Sequence, residues 1–367
     1  MLQALLLVCA AIAAEDAPPF AEDLTVIREK RSPQPAAVVL DPDDRSAPLC
    51  VAFSPDGKTL AANSDYQTIQ LWDVATRKKL HEMKVATTYS WCVKFSPDGK
   101  TLASSGGGNT VKFWDVAGGK EIRTLKLGAD YDFACSVAFS PDGKTLASGG
   151  ARFSQFVSQP GPVDLWDAAS GKHLRTLGTH ADEVRSVVFS PDGKTLASAG
   201  LHDVVKLWDV ASGRNTASFK PPEYADCVSS LAFAPDGKRL AAGCGDVGPG
   251  QLAIWDLASR KMTVRAWAGR AVLSVVFSPD GKSVVLGACS DSIQLHDAAT
   301  GKNIAVFRTD GMAHSVAFSP DGKTLASAER HLTLWDLASA KVQDAPTGKK
   351  PDGKGAAERL LRDRKDE

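Results

Sequence analysis

Between residues 178 and 213 short apolar runs alternate with clusters of turn-forming residues. The runs are Val184–Phe189, 195–198 and 204–208. Each is brief, rich in β-branched or aromatic residues and bounded by turn chemistry, which predicts strands rather than helices. Ser190-Pro191-Asp192-Gly193 separates the first two. Proline presets φ at the second turn position and glycine accepts the positive φ that closes a bulged hairpin. The third run ends in Trp208-Asp209, and Ala211-Ser212-Gly213 turns the chain again. Asn215–Phe219 follows as a fourth strand.

The unit recurs. Its phenylalanine falls at Phe53, Phe95, Phe139, Phe189, Phe233, Phe277 and Phe318, spaced 41 to 50 residues apart, and Pro-Asp-Gly-Lys follows each. Trp-Asp falls at Trp72, Trp114, Trp166, Trp208, Trp255 and Trp335, with His296-Asp297 in the sixth copy. Repeats of this length ending in Trp-Asp resemble the WD40 family over residues 36–341. The resemblance implies an all-β, seven-bladed propeller of four-stranded antiparallel blades. It also implies that strand 36–40 closes the ring by lying beside 332–337 in the last blade, leaving no open edge.

Family members often link a histidine before the first strand, a strand-b serine and the tryptophan. Here only His180 stands at that place; Asp44, Ala86, Asp130, Tyr224, Ala268 and Thr309 occupy it elsewhere. The serine persists at Ser104, Ser148, Ser198 and Ser327. Packing is therefore expected to carry more of the stability in the other blades. An insertion at 149–162 enlarges the third copy, and a glycine-rich one at 243–250 the fifth.

The flanks differ from the repeats. Residues 1–14 are apolar apart from Gln3 and end in small residues, which predicts a signal peptide and export to the periplasm, cell envelope or medium. A flexible leader is expected over 15–35 and a charged, disordered tail over 342–367. With 43 basic and 43 acidic residues the chain offers no basic face for nucleic acid, and no later stretch is long enough to span a bilayer. Cys50 and Cys92 share one repeat position, three before the phenylalanine, where the other copies carry serine; a small residue is wanted there.

No hydrolase, zinc-protease or phosphate-loop motif is present, so no catalytic residue, cofactor or metal is expected. The pairs His180/His202 and His314/His331 read as hydrogen-bonding groups rather than metal ligands. The informative pattern is positional. All four tyrosines, Tyr66, Tyr89, Tyr131 and Tyr224, fall in the loops expected on one face, the top, with Trp91, Phe133, Phe153, Phe156 and Trp267 nearby. Asp130, Asp132 and Asp226 are among the acids there, whereas each opposite turn carries a lysine or arginine. This predicts a monomeric, non-enzymatic scaffold that binds a protein or peptide, of basic character, on the top face. The rivals are a lactonase-like or quinoprotein-like enzyme, or a small-ligand sensor, with a site at the channel mouth.

Overall fold

A computed structural model of the chain describes residues 34–40, 48–64, 67–85, 90–106, 108–128, 132–154, 157–202, 204–223, 225–245 and 249–339. The expected signal peptide, nearly all of the leader and the tail lie outside these.

Local chemistry sets the hairpins. Ser190 donates its hydroxyl to Asp192 Oδ1 at 2.6 Å, and that oxygen also accepts the Lys194 amide at 3.0 Å. The Ser190 hydroxyl in turn accepts the Thr195 amide at 3.0 Å, and Gly193 turns the chain at a φ of 71°. At the next turn Asp209 Oδ1 accepts the amide and hydroxyl of Ser212. The aspartate of Trp-Asp is thus a turn-capping group. These bonds, the serine hydroxyl foremost, hold the carboxyls of Asp192 and Asp209 below the ordinary 3.8.

Seven antiparallel sheets result, each with strands a to d running outward from the axis. Blade 4 comprises Val184–Phe189, Thr195–Gly200, Val205–Asp209 and Asn215–Phe219. In blade 7 strand d is Ala36–Val39, which pairs antiparallel with Leu332–Asp336 and places Ala37 opposite Trp335. The ring closes through this strand, as the repeat pattern implied. Gln34, just before it, also accepts the Arg308 amide of blade 6 at 2.7 Å. The blade 3 insertion is no irregular loop. Strand b extends over Thr145–Ser154 and folds back as Val157–Gln159, making a hairpin on the top side.

Between blades the core is apolar. The second residue before each repeat phenylalanine, such as Val93, Val137 and Val275, is buried, as are the tryptophans of strand c. Rings meet across blades, Phe219 against Trp255 at 5.7 Å and Phe307 against Trp335 at 5.9 Å. Each such buried side chain contributes about 2–3 kcal/mol.

Two belts join neighbouring blades. In the first, the serine three before the phenylalanine accepts a hydrogen bond from the next blade: Ser136 from the Val187 amide, Ser186 from Leu231, Ser230 from Val275 and Ser274 from Val316, at 3.0–3.2 Å. In the second, the turn glycine of each blade sits over the proline of the blade before. A Cβ on Gly193 would lie 3.2 Å from Pro141 Cδ, and one on Gly57 3.2 Å from Pro320 Cδ. The positive φ of every one of these turns, together with the proline beneath, favours glycine there.

Candidate functional site: the top face and channel mouth

The strand-b serines perform the expected task. Trp114, Trp166, Trp208 and Trp335 donate their indole N–H to Ser104, Ser148, Ser198 and Ser327 at 2.7–2.9 Å. In blade 4 the chain continues: Ser198 Oγ lies 2.7 Å from His180 Nε2. An indole can only donate, so the serine proton is left for the histidine nitrogen. Blade 7 has no such histidine. There Ser327 donates to Glu329, whose other carboxylate oxygen accepts the Asp310 amide at 3.1 Å. A buried carboxyl from strand b's end therefore replaces a histidine from the loop before strand a. Burial pushes Glu329 from its ordinary 4.5 up to about 7. Sequence reasoning did not place it in this network, because Glu329 occupies a different position from His180.

One residue stays half-buried near the top of strand a in each blade, four before the phenylalanine, and in blades 2 to 6 a bulge in strand a accompanies it. Trp91, Arg185, Leu273 and His314 hold this place in blades 2, 4, 6 and 7. Trp91 therefore belongs to a strand, Ser90–Phe95, rather than to a loop. Arg185 pairs with Glu183 and reaches Cys227 Sγ at 3.1 Å.

The remaining expected residues sit farther out. Asp132 is exposed, and its carbonyl accepts the Asn109 amide at 3.3 Å. Asp226 is exposed and its carbonyl accepts the His202 amide at 2.8 Å. Trp267 ends strand d of blade 5, Lys261–Trp267, with 54% of its surface exposed. Arg265 stacks over its ring at 5.4 Å and binds the Glu223 carbonyl, which buried Gln251 also holds at 2.8 Å. Trp267 is thereby tied to the loop that carries Glu223 and Asp226. Phe133 begins strand a of blade 3, and Phe153 lies in the inserted hairpin opposite Ser158. Tyr66, Tyr89, Asp130, Tyr131, Phe156 and Tyr224 lie outside the described residues.

Six segments match the family model for the WD domain, G-beta repeat: residues 42–73, 77–115, 119–152, 171–209, 213–256 and 301–336. The chain belongs to the WD40 family. It is also similar to the small ribosomal subunit protein RACK1z of Arabidopsis thaliana, 32% identical over 72 residues. That stretch spans 19% of this chain and 22% of the relative.

The WD40 matches skip the copy between 257 and 300, yet that segment forms a complete blade. His296 stands there for tryptophan. Its Nε2 lies 3.0 Å from Gln294 Oε1 and its Nδ1 2.9 Å from the Gly301 carbonyl, and burial lowers its pKa.

Exposed charge lies on both faces of this WD40 ring, and at the top Arg330 sits 3.9 Å from Asp310. Asp132, Glu223, Asp226, Asp291 and Asp310 are exposed around the top, and Lys78, Lys120, Lys172 and Lys302 at the bottom. The bottom aspartates are engaged by their own turns. His202 Nδ1 lies 3.4 Å from Asp182 Oδ2. Among the described residues no three His, Cys, Asp or Glu side chains gather as metal ligands do. Recesses of about 380 and 510 Å³ open between the turns of blades 4 and 5 and of blades 6 and 7. Every residue lining the second has its repeat counterpart in the first, Ser278 to Ser190 and Phe318 to Phe233, so they come from repeat packing.

Proposed function

We propose that this chain is an exported, non-catalytic WD40 scaffold that docks a basic protein or peptide segment on its top face. The observation that carries the reading is the set of exposed acids Asp132, Glu223, Asp226 and Asp291 around the top, opposite a lysine-bearing bottom. Such a rim attracts a basic partner at distance, and the attraction fades with added salt. Trp267 supplies apolar area beside it, steadied by Arg265, and aromatic anchors of this kind dominate binding energies. The carbonyl bonds of Glu223 and Asp226 order the loop before any partner arrives, which lowers the entropic cost of docking. Similarity to a protein named as a ribosomal subunit component accords with a role in protein assemblies. Export rests on the apolar segment 1–14 with its small terminal residues.

The test starts from a partner recovered by pull-down from envelope extract and titrated at two salt concentrations. Trp267→Ala and Asp226→Asn should weaken binding, by about 1–3 kcal/mol for the tryptophan, while Lys172→Ala with Lys302→Ala leaves it unchanged. The reverse pattern would place the docking surface on the bottom. N-terminal sequencing of fractionated protein tests export; intact Met1 on cytoplasmic protein contradicts it.

A further inference from the structure

The serine belt changes its chemistry once around the ring. In blades 1 and 2 the belt position carries Cys50 and Cys92. Cys50 keeps the serine's role, accepting the Val93 amide at 3.4 Å, and Cys92 Sγ lies 3.9 Å from the Val137 carbonyl. The two thiols belong to neighbouring blades, Cys50 Sγ lying against the backbone of Val93, the residue next to Cys92. Two residues beyond Cys92, on the same channel-facing side of the strand, stands Lys94. The other blades have only alanine or valine at this level, including Ala52, Ala138 and Val188. Lys94 is exposed, and its charge acts on both sulfurs.

A structural belt needs only a small acceptor, which serine supplies in five blades. It needs neither two adjacent thiols nor a lone ammonium beside them. We propose that Cys50 and Cys92 form a redox-active thiol pair that is oxidised by small-molecule disulfides entering the central channel, closing a covalent link between blades 1 and 2. In the first step the Cys50 thiolate attacks one sulfur of the incoming disulfide. A mixed disulfide forms, and the other half leaves as a thiolate. Cys92 sulfur then attacks Cys50 Sγ and expels the second half, while the Cys92 proton passes to the departing sulfur. Two electrons move from the protein thiols to the external disulfide, which is released as two reduced halves.

The division of labour follows from the surroundings. The hydrogen bond from Cys92 and the charge of Lys94 hold the Cys50 thiol below its ordinary 9.0, at about 6, against the opposing effect of burial. Cys92, which donates that hydrogen bond and lies beside the Cys50 charge, is pushed up. One sulfur is the nucleophile and the other the protonated resolving group.

The experiment uses the full-length reduced protein and hydroxyethyl disulfide, a small neutral reagent, with peptide mass analysis after alkylation of free thiols. The wild type should yield a Cys50–Cys92 disulfide. Cys92→Ser should stop at a mixed disulfide on Cys50, and Cys50→Ser should leave Cys92 free. Serine is the residue of the other five blades, so both variants retain the belt; thermal melts verify this. Lys94→Met should slow adduct formation on Cys50 about threefold or more at neutral pH. The proposal is overturned if Cys50 takes no adduct in the folded Cys92→Ser protein. It is equally overturned if Cys92 reacts first, or if Lys94→Met reacts at the wild-type rate.

Discussion

Ser315 Oγ accepts a hydrogen bond of 3.2 Å from the amide of Val51, joining the last blade to the first across 264 positions of sequence. Its partners around the belt join blades adjacent in sequence, yet the geometry is the same. Ser315→Ala should therefore cost about 1 kcal/mol, as Ser186→Ala should, because each leaves one amide without its acceptor. Urea unfolding of the two variants checks the equality. A far larger loss for Ser315→Ala would mean that closure carries an energy of its own.

Gly57 closes the bottom ring as Ser315 closes the channel belt. Its φ of 71° opposes a side chain, and so does the Pro320 ring, 3.2 Å from where a Cβ would stand. Gly57→Ala should destabilise by about 1 kcal/mol or more. Gly193→Ala, which meets Pro141 at the same 3.2 Å, should behave alike in thermal melts.

Ser198 serves two buried groups, the Trp208 indole and His180, whereas Ser104 is paired with the Trp114 indole. Ser198→Ala should cost about 1–3 kcal/mol and exceed the loss in Ser104→Ala. A result in which blade 2 suffers more would show that the histidine adds nothing.

The pH dependence of stability has opposing parts. The turn aspartates, including Asp56, Asp192 and Asp280, are held below the ordinary 3.8 by serine hydroxyls and backbone amides. Their contribution is present above that value and is lost as pH falls through the lowered folded values. Glu329 works in the other direction. Its folded pKa near 7 exceeds the unfolded 4.5, so ionisation costs stability as pH rises between the two and the full cost persists above. Buried His296 and His314, with lowered pKa values, lose stability below their ordinary 6.5 and mask this trend. The difference between Glu329→Gln and wild type isolates it. The variant should gain on the wild type from pH 5 to 8, by at most on the order of 3 kcal/mol. A difference that stays flat over that window would show that Glu329 is not the buried acid.

Docking on the acidic rim makes a kinetic claim as well. Asp226→Asn should slow partner association at low salt and change little at high salt, since a rim charge acts mainly through steering. Stopped-flow association at both salt concentrations separates this from a packing defect, which would raise dissociation at either.

Much of this fold was written locally. A Ser-Pro-Asp-Gly turn satisfies its own donors within five residues, and Trp-Asp caps the next turn, so seven copies announce seven sheets before any contact between them is known. The four Trp–Ser bonds were legible for the same reason, because a strand-b serine and a strand-c tryptophan face each other across one hairpin. The candidate site was legible only in outline. Acids and rings could be assigned to a face by counting strands, but Trp91 proved to be part of a strand at the channel mouth and Trp267 the end of an outer strand. What the chain does between blades was decided by tertiary structure alone. Blade packing brings Ser315 to Val51 and Gly57 to Pro320, sets Glu329 where another blade has a histidine, and lays Cys50 against the strand that carries Cys92. The physical reason is that such contacts depend on the angle and spacing at which whole blades pack, and no repeat unit contains that information by itself.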